Sequence, residues 1–407
     1  MMLGFFYPSA SVSFLPSEAF KMPKIFNYAK VRASLASVGS GTTTPYQTTF
    51  NYTPSLTSPG LVNPGVLANP NLKPLRTTTF EVGVETKMLN SRLGFDIALY
   101  TGETKNQILS RRLDQSSGYS AAIFNLGRVN NKGIEIALNG TPVKTSKSFS
   151  WTVFATFSAN KNVIKEVDSA VVLRTGPTGG GQIVANVGGS MGDLYGRGYL
   201  RAPDGQIVYD AATGFAKLAP DVVYLGNTIP KWRTSMGHTF KYKQLSLNVL
   251  FDAQYGAVAY SLSNYKLSEQ GKNTATLPGR YNGIIGNGVI QNADGSYRPN
   301  NVVASDIDNY YRSHFGIDNA EGNTFSTDFI KFREANLDYT FSQKVASKLG
   351  VQRLSVGVYG RNLFIWTKWP IFDPEFGTLA GTDIVQGFET AQFPSTRTFG
   401  FNLTIGL

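Results

Sequence analysis

The sequence predicts an all-β chain: an antiparallel transmembrane β-barrel wall of about eleven strands, incomplete as a barrel, with its long loops on one side. Three observations predict it. The 407 residues include 20 Tyr, 27 Phe and 42 Gly against 16% charged residues, a composition of strands and loops rather than of long helices. Apolar residues recur at every second position in many segments. The connections between those segments alternate short and long.

Period-2 segments bounded by Gly, Pro, Asn or Asp clusters place strands at 3–14, 28–38, 75–87, 92–108, 128–140, 148–160, 231–241, 245–254, 328–341, 353–366 and 396–407. In the fourth, Leu93, Phe95, Ile97 and Leu99 alternate with Gly94, Asp96 and Ala98. The fifth sets Ile134, Ile136 and Leu138 against Gly133, Glu135 and Ala137, and the sixth puts Phe149, Trp151, Val153 and Phe157 on one side. The eighth opposes Leu245, Leu247, Val249 and Phe251 to Ser246, Asn248 and Asp252. Successive strand side chains point to opposite faces, so each segment has an apolar and a polar side. The polar sides collect Glu81, Glu85, Asp96, Glu135, Asp252, Glu334 and Asp338, which are the candidates for facing a watery lumen.

Short connections fall at 15–27, 88–91, 141–147, 242–244 and 342–352; long ones, rich in Gly, Pro, Asn and Thr, fall at 39–74, 109–127, 161–230, 255–327 and 367–395. On these spans the longest short connection has 13 residues and the shortest long one 19. Soluble sandwiches have no reason to gather every long loop at one end, whereas outer-membrane barrels do. With the long loops outside, the first and last strands both descend. Closing eleven strands would then require a parallel seam, so the sequence predicts further strands upstream.

No window approaches the roughly 18 apolar residues of a membrane helix, and "MMLGFFYPSASVSF" lacks the basic start and unbroken apolar run of a signal peptide. Cysteine is absent, which excludes disulfide scaffolds and thiolate metal sites. The net charge is +11, but Lys and Arg are scattered singly, so no nucleic acid partner is expected. The competing reading of the pattern is a soluble β-rich carbohydrate-binding or adhesion module.

Several segments resemble one family, the SusC/RagA-type TonB-dependent transporters of the outer membrane. "FIKFREANLDYTFSQKVASKLGVQRLSVGVYGRNLFIWTKWPIFDPEFG" is similar to its closing hairpin and "NLF…DPE" segment. "LKPLRTTTFEVGVETKMLNSRLGFDIALYTGETKNQIL" and "NLGRVNNKGIEIALNGTPVKTSKSFSWTVFATFSANKNVI" resemble its repeating strand pairs, and "FPSTRTFGFNLTIGL" its last strand. The resemblance implies a barrel of about 22 strands around an N-terminal plug. Residues 1–407 would be its C-terminal half, without the plug. It further implies import of glycan or peptide oligomers across the outer membrane of a Bacteroidota-like Gram-negative bacterium. The implied partners are outer membrane lipid, a SusD-like surface lipoprotein and, through the N-terminal region, the TonB complex that pulls on the plug.

Motifs for chemistry are weak. His238 and His314 stand 76 positions apart without partners at metal spacing, and "DIDNYYRSHFGID" offers Asp306, Asp308 and Asp318 without the glycine turn and final glutamate of a calcium loop. "GIIGNG" does not join a strand to a helix. Neither an enzyme nor a cofactor is expected. Trp366, Trp369, Phe372 and Phe376 crowd the top of a strand, where aromatics form an interfacial girdle or, as the alternative, stack on a passing sugar or peptide.

Overall fold

The side-chain alternation carries directly into backbone pairing. In the computed structural model, which describes residues 6–41, 45–55, 59–145, 148–167, 170–177, 180–375 and 387–407, eleven strands follow one another in a single antiparallel meander. These are β1 (Ser9–Phe14), β2 (Phe26–Ser40), β3 (Leu75–Met88), β4 (Leu93–Arg112), β5 (Ala121–Lys144), β6 (Phe149–Glu166), β7 (Trp232–Tyr242), β8 (Leu245–Tyr255), β9 (Phe329–Thr340), β10 (Arg353–Thr367) and β11 (Thr398–Gly406). Each predicted segment overlaps one of them. β1 and β11 are the two edges, so the sheet is open.

A meander places successive connections at opposite ends. The described residues of 15–25, 89–92, 145–148, 243–244 and 341–352 lie at one end, and those of 41–74, 113–120, 167–231, 256–328 and 368–397 at the other. The expected gap in length between the two classes does not hold. Residues 109–127 are mostly strand: pairing of β4 with β5 continues from Gln107↔Leu126 to Arg112↔Ala121. A 3-10 turn at Gln115–Ser117 closes that hairpin, capped by the Asp114 side chain and ended by Gly118 at φ 80°. Residues 113–120 are thus a shorter connection than 341–352, which itself holds the short helix Gln343–Lys348.

Cross-strand register shows the two faces continuously. One row of partners runs Val84, Ile97, Ile136, Phe157, Thr234, Ala253, Ile330 and Trp366; the adjacent row runs Glu85, Asp96, Ala137, Thr156, Ser235, Asp252 and Lys331. On the polar side Tyr100 lies across Gly133, where a Cβ would meet its hydroxyl at 2.3 Å, so the ring takes the space that the glycine leaves.

The buried core is not in this wall. Its apolar face is exposed, with Leu99 at 55% and Phe401 at 84%, as a single sheet layer must be when no protein covers it. Ile183, Leu194, Tyr260 and Phe388, all essentially buried, lie instead in the last three long connections, 167–231, 256–328 and 368–397. Those connections knit together: Val258–Ser261 pairs with Thr324–Ser326 and with Phe388–Glu389, and Val208–Tyr209 pairs with Val289–Gln291. The result is a packed dome on the long-connection end. A second cluster anchors it to the sheet, because Val129 and Ile164 of β5 and β6 pack with Val171, Ala185 and Met191. The extra length of β4–β6 therefore carries the dome.

Candidate functional site

All seven predicted carboxylates share the polar face. Asp96 and Asp252 lie on the row given above with Glu85; Glu81 opposes Tyr100, Glu135 opposes Ala98, Glu334 opposes Leu250 and Asp338 opposes Ser246. Most are engaged. Arg32 bridges Asp96 at 2.8 Å and Glu81 at 3.6 Å, Arg361 reaches Glu334 at 3.0 Å, and Asn336 donates to Asp338 at 2.7 Å. Glu85 and Glu135 have no ion pair among the described residues. Glu135 instead lines a cleft of about 300 Å³ with Tyr100, Asn160 and Arg233, roofed by Thr228–Pro230 of the dome.

Sequence alternation does not reveal the strongest cluster on this face. Lys331, only 4% exposed, donates to both carboxylate oxygens of Asp373 at 2.6 and 2.7 Å and also to Glu375. Arg333 donates to Glu375 and to Asp252, each at 2.6 Å. Burial acts to raise the Glu375 carboxyl, but hydrogen bonds from Arg333 and Lys331 outweigh it and hold the group below the usual range. The acidic residues of the "DPE" segment thus clamp the final long connection onto the "FIKFRE" strand. Both strings are visible in the sequence; what is not visible is that they meet.

The aromatic candidates are not brought together. Trp366 stands on the apolar face, 55% exposed and stacked on Phe364 at 6.2 Å. Trp369 is buried edge-on to Phe325, and Phe372 is exposed at φ 57°. Phe376 lies outside the described residues. On the apolar face Phe157, Trp232 and Tyr255 form one aromatic belt near the dome, and Trp151, Phe240, Tyr242 and Tyr339 a second near the short connections. The stretch of β7 from Trp232 to Phe240 spans about 26 Å at ~3.3 Å per residue, close to the ~25 Å apolar band of an outer-membrane barrel.

His238 belongs to the second belt, accepting from the Trp151 indole at 3.2 Å. Asp306 caps the helix Ile307–Phe315 and Asp308 pairs with Arg312 at 2.8 Å, so two of the three aspartates considered for calcium have helical roles. Among the described residues no group of three or more His, Cys, Asp or Glu is placed to hold a metal.

His314 lies inside the dome, with Tyr199 OH 3.1 Å from Nδ1, Tyr209 OH 3.5 Å from Nε2 and the Tyr310 ring at 4.7 Å; Glu321 and Arg201 lie beyond Tyr199. Burial lowers its pKa from 6.5 to about 4. An unfolded chain therefore binds a proton between those values that the folded dome refuses, and stability falls as pH drops through that window. From pH 7 to pH 5 the expected loss is about 2 kcal/mol. Hydrogen-exchange protection across residues 199–209 and 310–315, corrected for the intrinsic rate at each pH, should fall accordingly, and His314→Gln should flatten the dependence. An unchanged slope in that variant would refute the assignment.

Known proteins share this architecture. The family model described as TonB dependent receptor-like, beta-barrel matches residues 3–320. TonB-dependent receptor P26 of Formosa agariphila is 25% identical over 437 residues, covering 98% of this chain and 42% of the relative. TonB-dependent receptor SusC of Bacteroides thetaiotaomicron is also 25% identical, over 83% of this chain and 32% of its own length. The structure of the RagAB peptide transporter shares the fold at a TM-score of 0.73 and 16% identity, covering 98% of this chain and 43% of that one. The chain thus spans less than half the length of the relatives it matches. Register, faces and family match agree: this chain belongs to the TonB-dependent receptor-like β-barrel family.

Proposed function

We propose that the chain is the C-terminal part of the barrel wall of an outer-membrane nutrient importer, the apolar face meeting lipid and the polar face a watery lumen. The observation that carries this reading is the wall itself: one uncovered apolar face between two aromatic belts, with the large connections packed into a dome at one end. Glu81, Glu85, Asp96, Glu135, Asp252, Glu334 and Asp338 then line the lumen, and the dome stands on the outer surface where cargo arrives. The name of one structural neighbour, the RagAB peptide transporter, supports peptide cargo, and that of SusC supports TonB dependence. Glycan or peptide oligomers would enter with the help of a SusD-like lipoprotein over the dome. TonB would supply the energy through a plug outside this chain.

The test is uptake by cells carrying the full-length protein, offered labelled oligosaccharides and oligopeptides with TonB or the lipoprotein deleted in turn. Uptake of one class that disappears in both deletions is the expected result. Uptake indifferent to TonB would overturn the reading, and a protein recovered soluble without detergent would favour the adhesion module.

A further inference from the structure

Lys132 of β5 and Lys161 of β6 oppose each other directly in register. Both lie on the apolar face, one step beyond the row Leu99, Ile134, Ala159 and Trp232, and both are exposed. Like charges directly opposite on a sheet destabilise it unless an anion intervenes. Pairing of β6 with β7 stops at Ala159↔Trp232, so above that point the wall parts. The gap opens into a cavity of about 810 Å³ whose lining includes Lys132, Lys161 and Lys231 together with Ile134, Val163 and Pro230. None of the three lysines has a carboxylate partner among the described residues. Asp193, also in the lining, is buried and already accepts from Ser190 N and Asn227 Nδ2.

We propose that this notch binds the anionic phosphomonoester of an outer-leaflet lipid headgroup, a group that zwitterionic phosphatidylcholine lacks. The inference rests on the apolar face being the membrane face. The height fits: the lysines sit immediately beyond the belt of Phe157, Trp232 and Tyr255, where chain-bearing apolar surface gives way to headgroups. The chemistry fits as well, because ammonium groups attract lipid phosphate and the apolar lining continues the acyl-facing surface. A phosphate between Lys132 and Lys161 removes their repulsion and ties β5 to the start of β7 through Lys231.

The experiment places the full-length protein in phosphatidylcholine nanodiscs containing lipid A, dephosphorylated lipid A or neither, and a fourth sample receives inorganic phosphate in solution. The thermal midpoint should rise with lipid A alone. The triple variant K132Q/K161Q/K231Q should bind lipid A about tenfold more weakly or worse, whereas K132R/K161R/K231R should keep the response. In plain phosphatidylcholine the triple Gln variant should melt no lower than wild type, since it has lost only repulsion. Equal stabilisation by dephosphorylated lipid A, by free phosphate, or in the Gln variant would overturn the assignment. Failure to insert into any nanodisc would overturn the membrane-face reading with it, a result distinct from insertion without phosphate preference.

Discussion

Replacing Lys331 with Met should release the final long connection from the wall, at a cost of about 3 to 5 kcal/mol, because it strands a buried carboxylate. Asp373 is 7% exposed, and Lys331 Nζ holds both its oxygens; among the described residues its other donor is the Glu375 backbone N–H. Glu375 retains Arg333, so the penalty falls on Asp373. Hydrogen exchange over residues 367–375 should quicken by about a hundredfold or more, since each 1.4 kcal/mol is a factor of ten. Lys331→Met with Asp373→Asn should recover most of the loss, as removing both charges of a buried pair is far cheaper than removing one. A double variant as labile as the single one would show that the ion pair is not what fastens the segment.

The wall was legible because a sheet with one apolar and one polar face imposes period 2, the one signal a single sequence carries plainly. Leu93 to Leu99 and Leu245 to Phe251 show it without interruption. Beyond Gln107 that two-faced alternation ends while backbone pairing does not. Residues 107–112 and 121–126 pair fully, yet "SRRLDQSSGYSA" has no alternation and reads as loop. The dome was illegible for a different reason. Its strands are two to ten residues long and pair across separate connections, as Tyr260 does with Phe388, so no local pattern announces them. Polar-face carboxylates could be found from alternation, but their cations could not. Arg32 lies 64 positions from Asp96, and Lys331 lies 42 from Asp373.

Val249→Arg should cost about 2 to 4 kcal/mol in a bilayer, the penalty for arginine at the lipid-facing midplane of a barrel. Val249 is well inside β8, on the apolar face between His238 and Ala335, with wall strands on both sides, so the sheet's open edges do not enter the comparison. Ser246 on the same strand faces the other way, opposite Lys241 and Asp338, in a polar cleft. Ser246→Arg gains Asp338 as a neighbour and should change the unfolding free energy by under about 1 kcal/mol. Phe95 and Asp96 would serve less well as such a pair, because Asp96 holds Arg32 and its replacement would break an ion pair as well as change a face. Urea titration of the full-length protein refolded into phosphatidylcholine vesicles reads the difference. Should Ser246→Arg prove the costlier change, the polar face would be the packed one and the apolar face would not meet lipid.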